Sequence, residues 1–340
     1  MKALSLASSV ACVAGVLLGN TVNFGVLVLD SQTGSPVVES EVKAGFKEDR
    51  GPLARDRYKY TFNQYFTDEK GYVNVRGVSN TGNAGATVVR ADGYYCPARG
   101  GGPQFKTKNL LGVWQPENVV VTIKLQRVEH PIPLFVKSEL LDVKQEIANI
   151  NKGVFSYDLM KGDWLPPLGN GEVADIEFTR LPHEDLGEFV GASGVKGHAY
   201  RDAVAVRFIG DGNGLVECKP MKNAALKIRT APENGYKADY MCWRGKNQKL
   251  EYDTNRDERR CFAFRIRTRK EEHGSIVKAY YGKIYGDFIM YTDRGPIVLG
   301  VKFSYYLNPK SLDRNLEWDR VNNLCPTPGE VGRTVGDRAP

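Results

Sequence analysis

The sequence predicts a mainly β protein built as two domains, an Ig-like sandwich followed by a larger antiparallel, sandwich-like domain. Three observations carry that expectation. Apolar stretches are short and often alternate with polar residues, turn signals rich in Gly, Pro, Asn and Asp separate them, and no long helical repeat follows residue 150. The length of 340 residues is about twice that of a common domain. With 41% hydrophobic and 26% charged residues the chain can bury a sizeable core. Such a composition excludes a wholly disordered chain, collagen, a disulfide-dense miniature and a polytopic membrane protein.

Lys2 is followed by an uncharged, Ala-, Ser-, Val- and Leu-rich stretch over residues 3–19. One cation and then a short apolar stretch is the layout of a secretory signal peptide, assigned here to residues 1–22. Export to the periplasm, the cell surface or the exterior is expected, with a retained anchor or a buried strand as alternatives. No transmembrane span is expected after the signal.

Residues 23–126 read as the first sandwich. A buried strand over 24–30 is followed by a turn over 31–36 and extended segments at 37–38 and 41–46. Tyr58, Tyr60 and Phe62 alternate with polar residues, as one face of a strand does. Residues 67–71 turn, 72–75 and 86–90 extend, 91–93 turn, and 119–125 close the domain. Gly34, Gly71 and Gly93 are expected to supply positive φ in these turns. The stretch 47–63 reads as an insertion.

Residues 127–150 read as a linker, with Pro131 and Pro133 opposing a regular helix at its start. Leu140, Leu141, Val143, Ile147 and Ile150 fit an amphipathic helix over 137–150 or an extended segment. Residues 151–326 form the second β-rich domain. Strands are expected over 173–178, 203–208, 214–216, 262–269, 275–281, 287–291 and 297–306, with Asp211-Gly212 as a hairpin turn. Residues 327–340 are expected to be a disordered tail.

The succession of a strand, a Thr33-Gly34-Ser35-Pro36 turn, a turn from Thr67-Asp68 to Gly71-Tyr72, and an Asp92-Gly93-Tyr94 turn resembles the transthyretin-like sandwich of carboxypeptidase regulatory domains. The resemblance spans residues 21–126. It implies a structural or binding module of exported proteins, with no catalytic residues to transfer. In the second half, Tyr157-Asp158-Leu159 with Gly162-Asp163-Trp164, the stretch from Tyr281 to Asp287, and Tyr305 to Pro309 with Asp313 to Glu317 resemble uncharacterised exported bacterial proteins. That resemblance implies no activity.

Charge is concentrated in residues 244–270, where ten cations stand against four anions in a chain of net charge +7. On a regular strand Arg265, Arg267 and Arg269 share one face, which would suit an acidic glycan, a lipid surface or an envelope protein partner. The competing reading is a solvated face balanced by carboxylates on adjacent strands. Trp164 and Trp243 are either carbohydrate platforms or packed core. Asp287, Asp313, Glu317 and Asp319 supply enough carboxylates for a glycosidase pair, or for structural ion pairs.

Cys242 and Cys261 flank a polar segment and are the first choice for a disulfide, with buried free thiols as the alternative. No CxxC or Cys–His cluster is present, so no metal site is expected, and no cofactor motif is found. No G-x-S-x-G, HExxH or P-loop stands in the chain. The sequence is therefore read as an exported, non-catalytic surface-binding or assembly protein, without nucleic-acid partners. A carbohydrate-active enzyme, or its carbohydrate-binding component, is the alternative.

Overall fold

The computed structural model describes residues 20–97, 100–110, 112–144, 153–218, 228–257, 260–291 and 297–326. These residues form strands, turns and loops, with no helix among them. Residues 1–19 of the segment expected to be a signal peptide, and the expected tail from 327, lie outside the described residues. The chain divides into two compact units after Glu129.

The first unit contains β1 (Thr21–Asp30), β2 (Glu41–Asp49), β3 (Tyr58–Phe66), β4 (Tyr72–Val78), β5 (Ala84–Arg90), β6 (Tyr94–Tyr95), β7 (Thr107–Lys108), β8 (Trp114–Gln115) and β9 (Val120–Arg127). One sheet has the order β4-β1-β9-β6 and a second the order β3-β2-β5. Strand β1 is central, antiparallel to β4 and parallel to β9. Its Val22, Phe24, Val26 and Val28 join Val42, Ala44 and Phe46 of β2 in one core. This two-residue period is the pleat at work, with one face buried and the other wet. The short β7–β8 hairpin adds Trp114, whose indole N–H donates to the Ser79 carbonyl at 3.0 Å.

Gly34, Gly71 and Gly93 all adopt positive φ, as the turns require. At Gly71 a Cβ would stand 2.5 Å from the Val28 carbonyl oxygen, so a side chain is excluded by space as well as by conformation. Residues 47–63 hold the ends of β2 and β3 and the loop between them. They close the β2–β3 hairpin, whose register runs from Glu41–Phe66 to Asp49–Tyr58.

The second unit begins with β10 (Ile132–Lys144), β11 (Val154–Asp158), β12 (Asp163–Trp164), β13 (Ile176–Arg180) and β14 (Glu184–Val190). It continues through β15 (Lys196–Phe208), β16 (Gly214–Cys218), β17 (Asp239–Lys246), β18 (Tyr252–Thr254) and β19 (Cys261–Lys270). It ends with β20 (Ile276–Tyr285), β21 (Ile289–Tyr291), β22 (Ile297–Leu307) and β23 (Trp318–Asn323). One sheet runs β16-β19-β20-β22-β10-β23, with β21 also on β22. The other runs β12-β11-β13-β15-β17-β18, with β14 also on β15. Between them lies an aromatic core of Tyr157, Trp164, Phe178, Phe208, Phe262, Phe264, Phe288, Phe303 and Tyr305.

The linker expectation and the helical alternative fail at β10, and the extended alternative holds. Residues 132–144 are a strand paired with β22 from Phe135–Leu307 onward, not a connector. Leu141 and Val143 are buried while Leu140 is exposed, a period of two that a helical face cannot give. The pairing partner decides an apolar pattern that is ambiguous locally. Residues 145–150 lie outside the described residues.

On the other face of the β19-β20-β22 sheet, Lys283 is fully buried. Its ammonium donates to the carbonyls of Leu316 and Ile228 and lies 5.2 Å from the centres of the Tyr285 and Tyr306 rings. Burial lowers its pKa to about 7, partly offset by Glu317. The unfolded chain therefore holds this proton over a range where the folded one has released it. Folding stability contributed by Lys283 is expected to rise with pH from about 7 until tyrosine ionisation sets in near pH 10. Urea denaturation across that range should show the rise in the wild type and a flatter profile in Lys283→Met.

Candidate binding surfaces

The basic row expected on β19 does not form. At Arg267 φ is +51° and the β19–β20 register jumps between Ile266 and Arg269. This bulge interrupts the alternation that a regular strand would keep. Arg265 is only 7% exposed. Its guanidinium donates to the carbonyls of Gly212 at 2.7 Å and Glu233 at 3.2 Å and lies 4.5 Å from the Tyr236 ring centre. Of the three arginines, Arg269 alone is exposed.

Arg267 binds two carboxylates instead. Its Nη2 donates to Asp158 at 2.6 Å, and its Nε and Nη2 donate to the two oxygens of Asp175, each at 2.9 Å. Asp158 also accepts the backbone N–H groups of Met160, Lys161, Glu172 and Val173. Desolvation opposes the Asp158 charge, yet those amides and Arg267 outweigh it and hold its pKa below the ordinary value. For Asp175 desolvation wins and the pKa rises, although Arg267 opposes it.

The four carboxylates considered for glycoside chemistry are each engaged locally. Asp287 accepts from the Tyr240 hydroxyl at 2.9 Å, from Arg260 Nη1 at 2.5 Å, and from the Asp257 and Phe288 amides. Asp313 accepts the Asn315 amide, Glu317 the His130 amide, and Asp319 the Val321 and Asn322 amides. Among the described residues no group of three or more His, Cys, Asp or Glu is placed to hold a metal ion. No helix among them is long and apolar enough to cross a membrane.

The two tryptophans separate. Trp164 is 4% exposed, with its ring centre 4.9 Å from Tyr157 and 5.5 Å from Phe178, and it belongs to the core. Trp243 is half-buried and lines an open groove of about 440 Å³ with Glu184, Tyr200, Arg201, Lys246 and Asp253. Its strand is locked in place on the β18 side. The Trp243 N–H donates to Asn255 Oδ1 at 2.8 Å, and its carbonyl accepts the Thr254 hydroxyl at 2.8 Å. The Arg201 guanidinium lies 4.8 Å from the Trp243 ring centre and 3.5 Å from a Glu184 oxygen. Across the register Trp243 faces Ala203, and Arg201 faces Gly245. At Gly245 a Cβ would stand 1.9 Å from the Tyr200 carbonyl oxygen, so the groove floor carries no side chain there.

In the first unit, β3 is an edge of the β3-β2-β5 sheet and presents aromatics to solvent. Tyr58 is 42% exposed, Tyr60 56%, Phe62 59% and Phe66 58%. The alternate residue Tyr65 packs against the core instead, and its hydroxyl donates to the Arg76 carbonyl at 2.6 Å. Lys47 stands 3.6 Å from the Tyr58 ring centre and Lys43 stands 4.8 Å from that of Phe62. The alternation of Tyr58, Tyr60 and Phe62 was visible in the sequence, but its direction toward solvent was not.

The expected Cys242–Cys261 bridge is not formed, and both are free thiols. They lie on different sheets, β17 and β19, and the residue opposite Cys261 is Cys218. The chain matches no family model, no curated protein and no solved structure.

Removing Arg267 would leave two buried carboxylates without their cation. Arg267→Met is expected to destabilise the protein by about 3 kcal/mol at neutral pH. Both aspartates then titrate upward, so the deficit should shrink as pH falls and they take up protons. Chemical denaturation of both proteins at neutral and acid pH would check the size and the sign.

Proposed function

We propose that this chain is a non-catalytic surface-binding and assembly protein, exported from the cytoplasm, whose first unit pairs with a second copy of itself through β3. The observation that carries the reading is the edge strand itself. It runs for nine residues, Tyr58–Phe66, with Lys59 its single charge and no proline or glycine. Natural edges are usually blunted by charge, proline or bulges, because an unpaired strand recruits another. An antiparallel β3–β3 pair centred on Phe62 would set Phe62 against Phe62, Tyr58 against Phe66 and Tyr60 against Gln64. Lys59 would then face Tyr65 rather than a like charge. Each aromatic cross-strand pair contributes roughly 0.2–1 kcal/mol. The transthyretin-like resemblance of residues 21–126 and the leader-like residues 1–22 support the same reading.

Analytical ultracentrifugation of the purified chain should show a concentration-dependent dimer. Tyr60→Lys with Phe62→Lys should shift it to monomer while leaving the fold intact by circular dichroism. A wild type that stays monomeric up to high concentration would sink the proposal.

The groove favours a second reading, a carbohydrate-binding component. An aromatic ring beside Arg201, Lys246 and Asp253 offers stacking to an apolar sugar face and charge-assisted hydrogen bonds to hydroxyls or a carboxylate. Titration with uronic-acid oligosaccharides should quench the tryptophan fluorescence. Trp243→Ala should weaken binding roughly tenfold, equivalent to about 1.4 kcal/mol. Absence of binding to the wild type would remove this reading without touching the β3 proposal.

A further inference from the structure

Cys218 ends β16, the edge strand of its sheet, and stands opposite Cys261, the first residue of β19. The next rungs, Glu217–Phe262 and Val216–Ala263, continue the antiparallel register without a shift. Directly opposed residues of an antiparallel pair project to the same face, with Cα atoms about 4.5 or 5.5 Å apart. Both separations fall within the range of about 4.4–6.8 Å that a disulfide spans. The Cys261 thiol already donates to the Cys218 carbonyl at 3.4 Å, beside its partner's backbone.

No other cysteine of this unit stands in a cross-strand pair with either of them. Cys242 is buried on the other sheet, where its cross-strand neighbour is Val204. Cys325 is buried just beyond β23.

We infer that Cys218 and Cys261 are an oxidisable pair that closes a cross-strand disulfide. The inference is independent of the β3 and groove readings. The oxidant is a disulfide, either a small one such as glutathione disulfide or a thiol–disulfide oxidoreductase. One cysteine thiolate attacks an oxidant sulfur and expels the other as a thiolate, leaving a mixed disulfide. The second cysteine thiolate attacks the protein sulfur of that bond and expels the remaining oxidant thiolate. The new S–S bond has thus given two electrons to the oxidant, and the two protein thiol protons end on the two released thiols.

The position of the pair gives the bond a specific effect. Between Cys218 and Cys261 the chain packs Ala231 and Tyr236 on this sheet, bridges β16 at Leu215 through Lys237, supplies β17 and β18 to the other sheet, and returns. That excursion carries Trp243 and Lys246 of the groove. A bridge would close it into a loop and pin the last rung of an edge strand. Burial, followed by the neighbouring Cys218, pushes the Cys261 thiol up to about 11, and burial also raises Cys218. Thiolate is therefore scarce at neutral pH, and uncatalysed closure should quicken as pH rises.

The test uses the full chain, incubated folded with glutathione disulfide at mildly alkaline pH, then unfolded and alkylated. Two fewer thiols should titrate than in a reduced control, and peptide mapping should find a single linked peptide joining Cys218 to Cys261. Cys218→Ser and Cys261→Ser should each abolish the loss, and Cys242→Ser should leave it unchanged. The oxidised wild type should also unfold at higher denaturant than the reduced one. The map is read on the wild type, so a variant that fails to fold does not spoil it. A Cys242–Cys261 peptide, or full retention of thiols after prolonged oxidation, would overturn the inference.

Discussion

The second unit depends on Arg267. It projects from β19 in one sheet and holds Asp158 at the end of β11 and Asp175 just before β13, both in the other sheet's run of chain. The two carboxyl side chains are almost wholly buried, at 4% and 2% exposure. The guanidinium is the cation both share, beside the backbone amides that also hold Asp158, and it could not reach them from a regular strand. The bulge that gives Arg267 its left-handed backbone is what turns it inward. Such a conformation costs of order 1–3 kcal/mol in a non-glycine residue and persists only where its surroundings over-determine it. Here three charge-assisted hydrogen bonds do so.

The same economy of charge runs through the rest of the unit. Arg260 with Tyr240 holds Asp287 against the aromatic core, and Lys283 sits under two tyrosines on the far face of its sheet. Between residues 244 and 270, Arg260, Arg265 and Arg267 are drawn into internal contacts, while Lys246, Lys249, Arg256, Arg269 and Lys270 remain exposed. With Arg265 and Arg267 turned inward, the three-arginine row offers no flat face, whereas beside Trp243 the Arg201 guanidinium and an aromatic ring meet in an open groove.

The sequence was informative wherever the period of two coincided with a turn signal. Strands β1, β2, β5, β13, β15, β19, β20 and β22 overlap the expected segments, and Gly34, Gly71 and Gly93 all take the positive φ that their turns required. It was uninformative where a non-local partner decides. Residues 137–144 fit a helix by pattern until β22 supplies a ladder of opposing residues. The Asp239–Lys246 strand is hard to see because charged ends and Gly245 dilute its alternation, although Cys242 and Trp243 mark its two faces. Most costly was the bulge at Arg267. A single extra residue reverses which face a side chain occupies, and no local preference of Arg267 or Thr268 announces it. Trp164 and Trp243 illustrate the same limit, because residue type alone does not distinguish a ring packed among Tyr157 and Phe178 from one lining a groove.

The two ends of this problem meet at edge strands. Strand β3 leaves an aromatic edge open, and β16 is also an edge, but its last rung carries a cysteine facing another cysteine. An edge can be made safe by covering it, by charging it, or by fixing it so that it cannot peel away and re-pair. Lys43 and Lys47 of β2 lie over the Phe62 and Tyr58 rings, and Lys59 is the one charge that β3 itself carries. On β16 the inferred disulfide would keep the strand in its own sheet. The two edges thus differ in kind, nine residues with one charge in β3 against five residues ending in a thiol in β16.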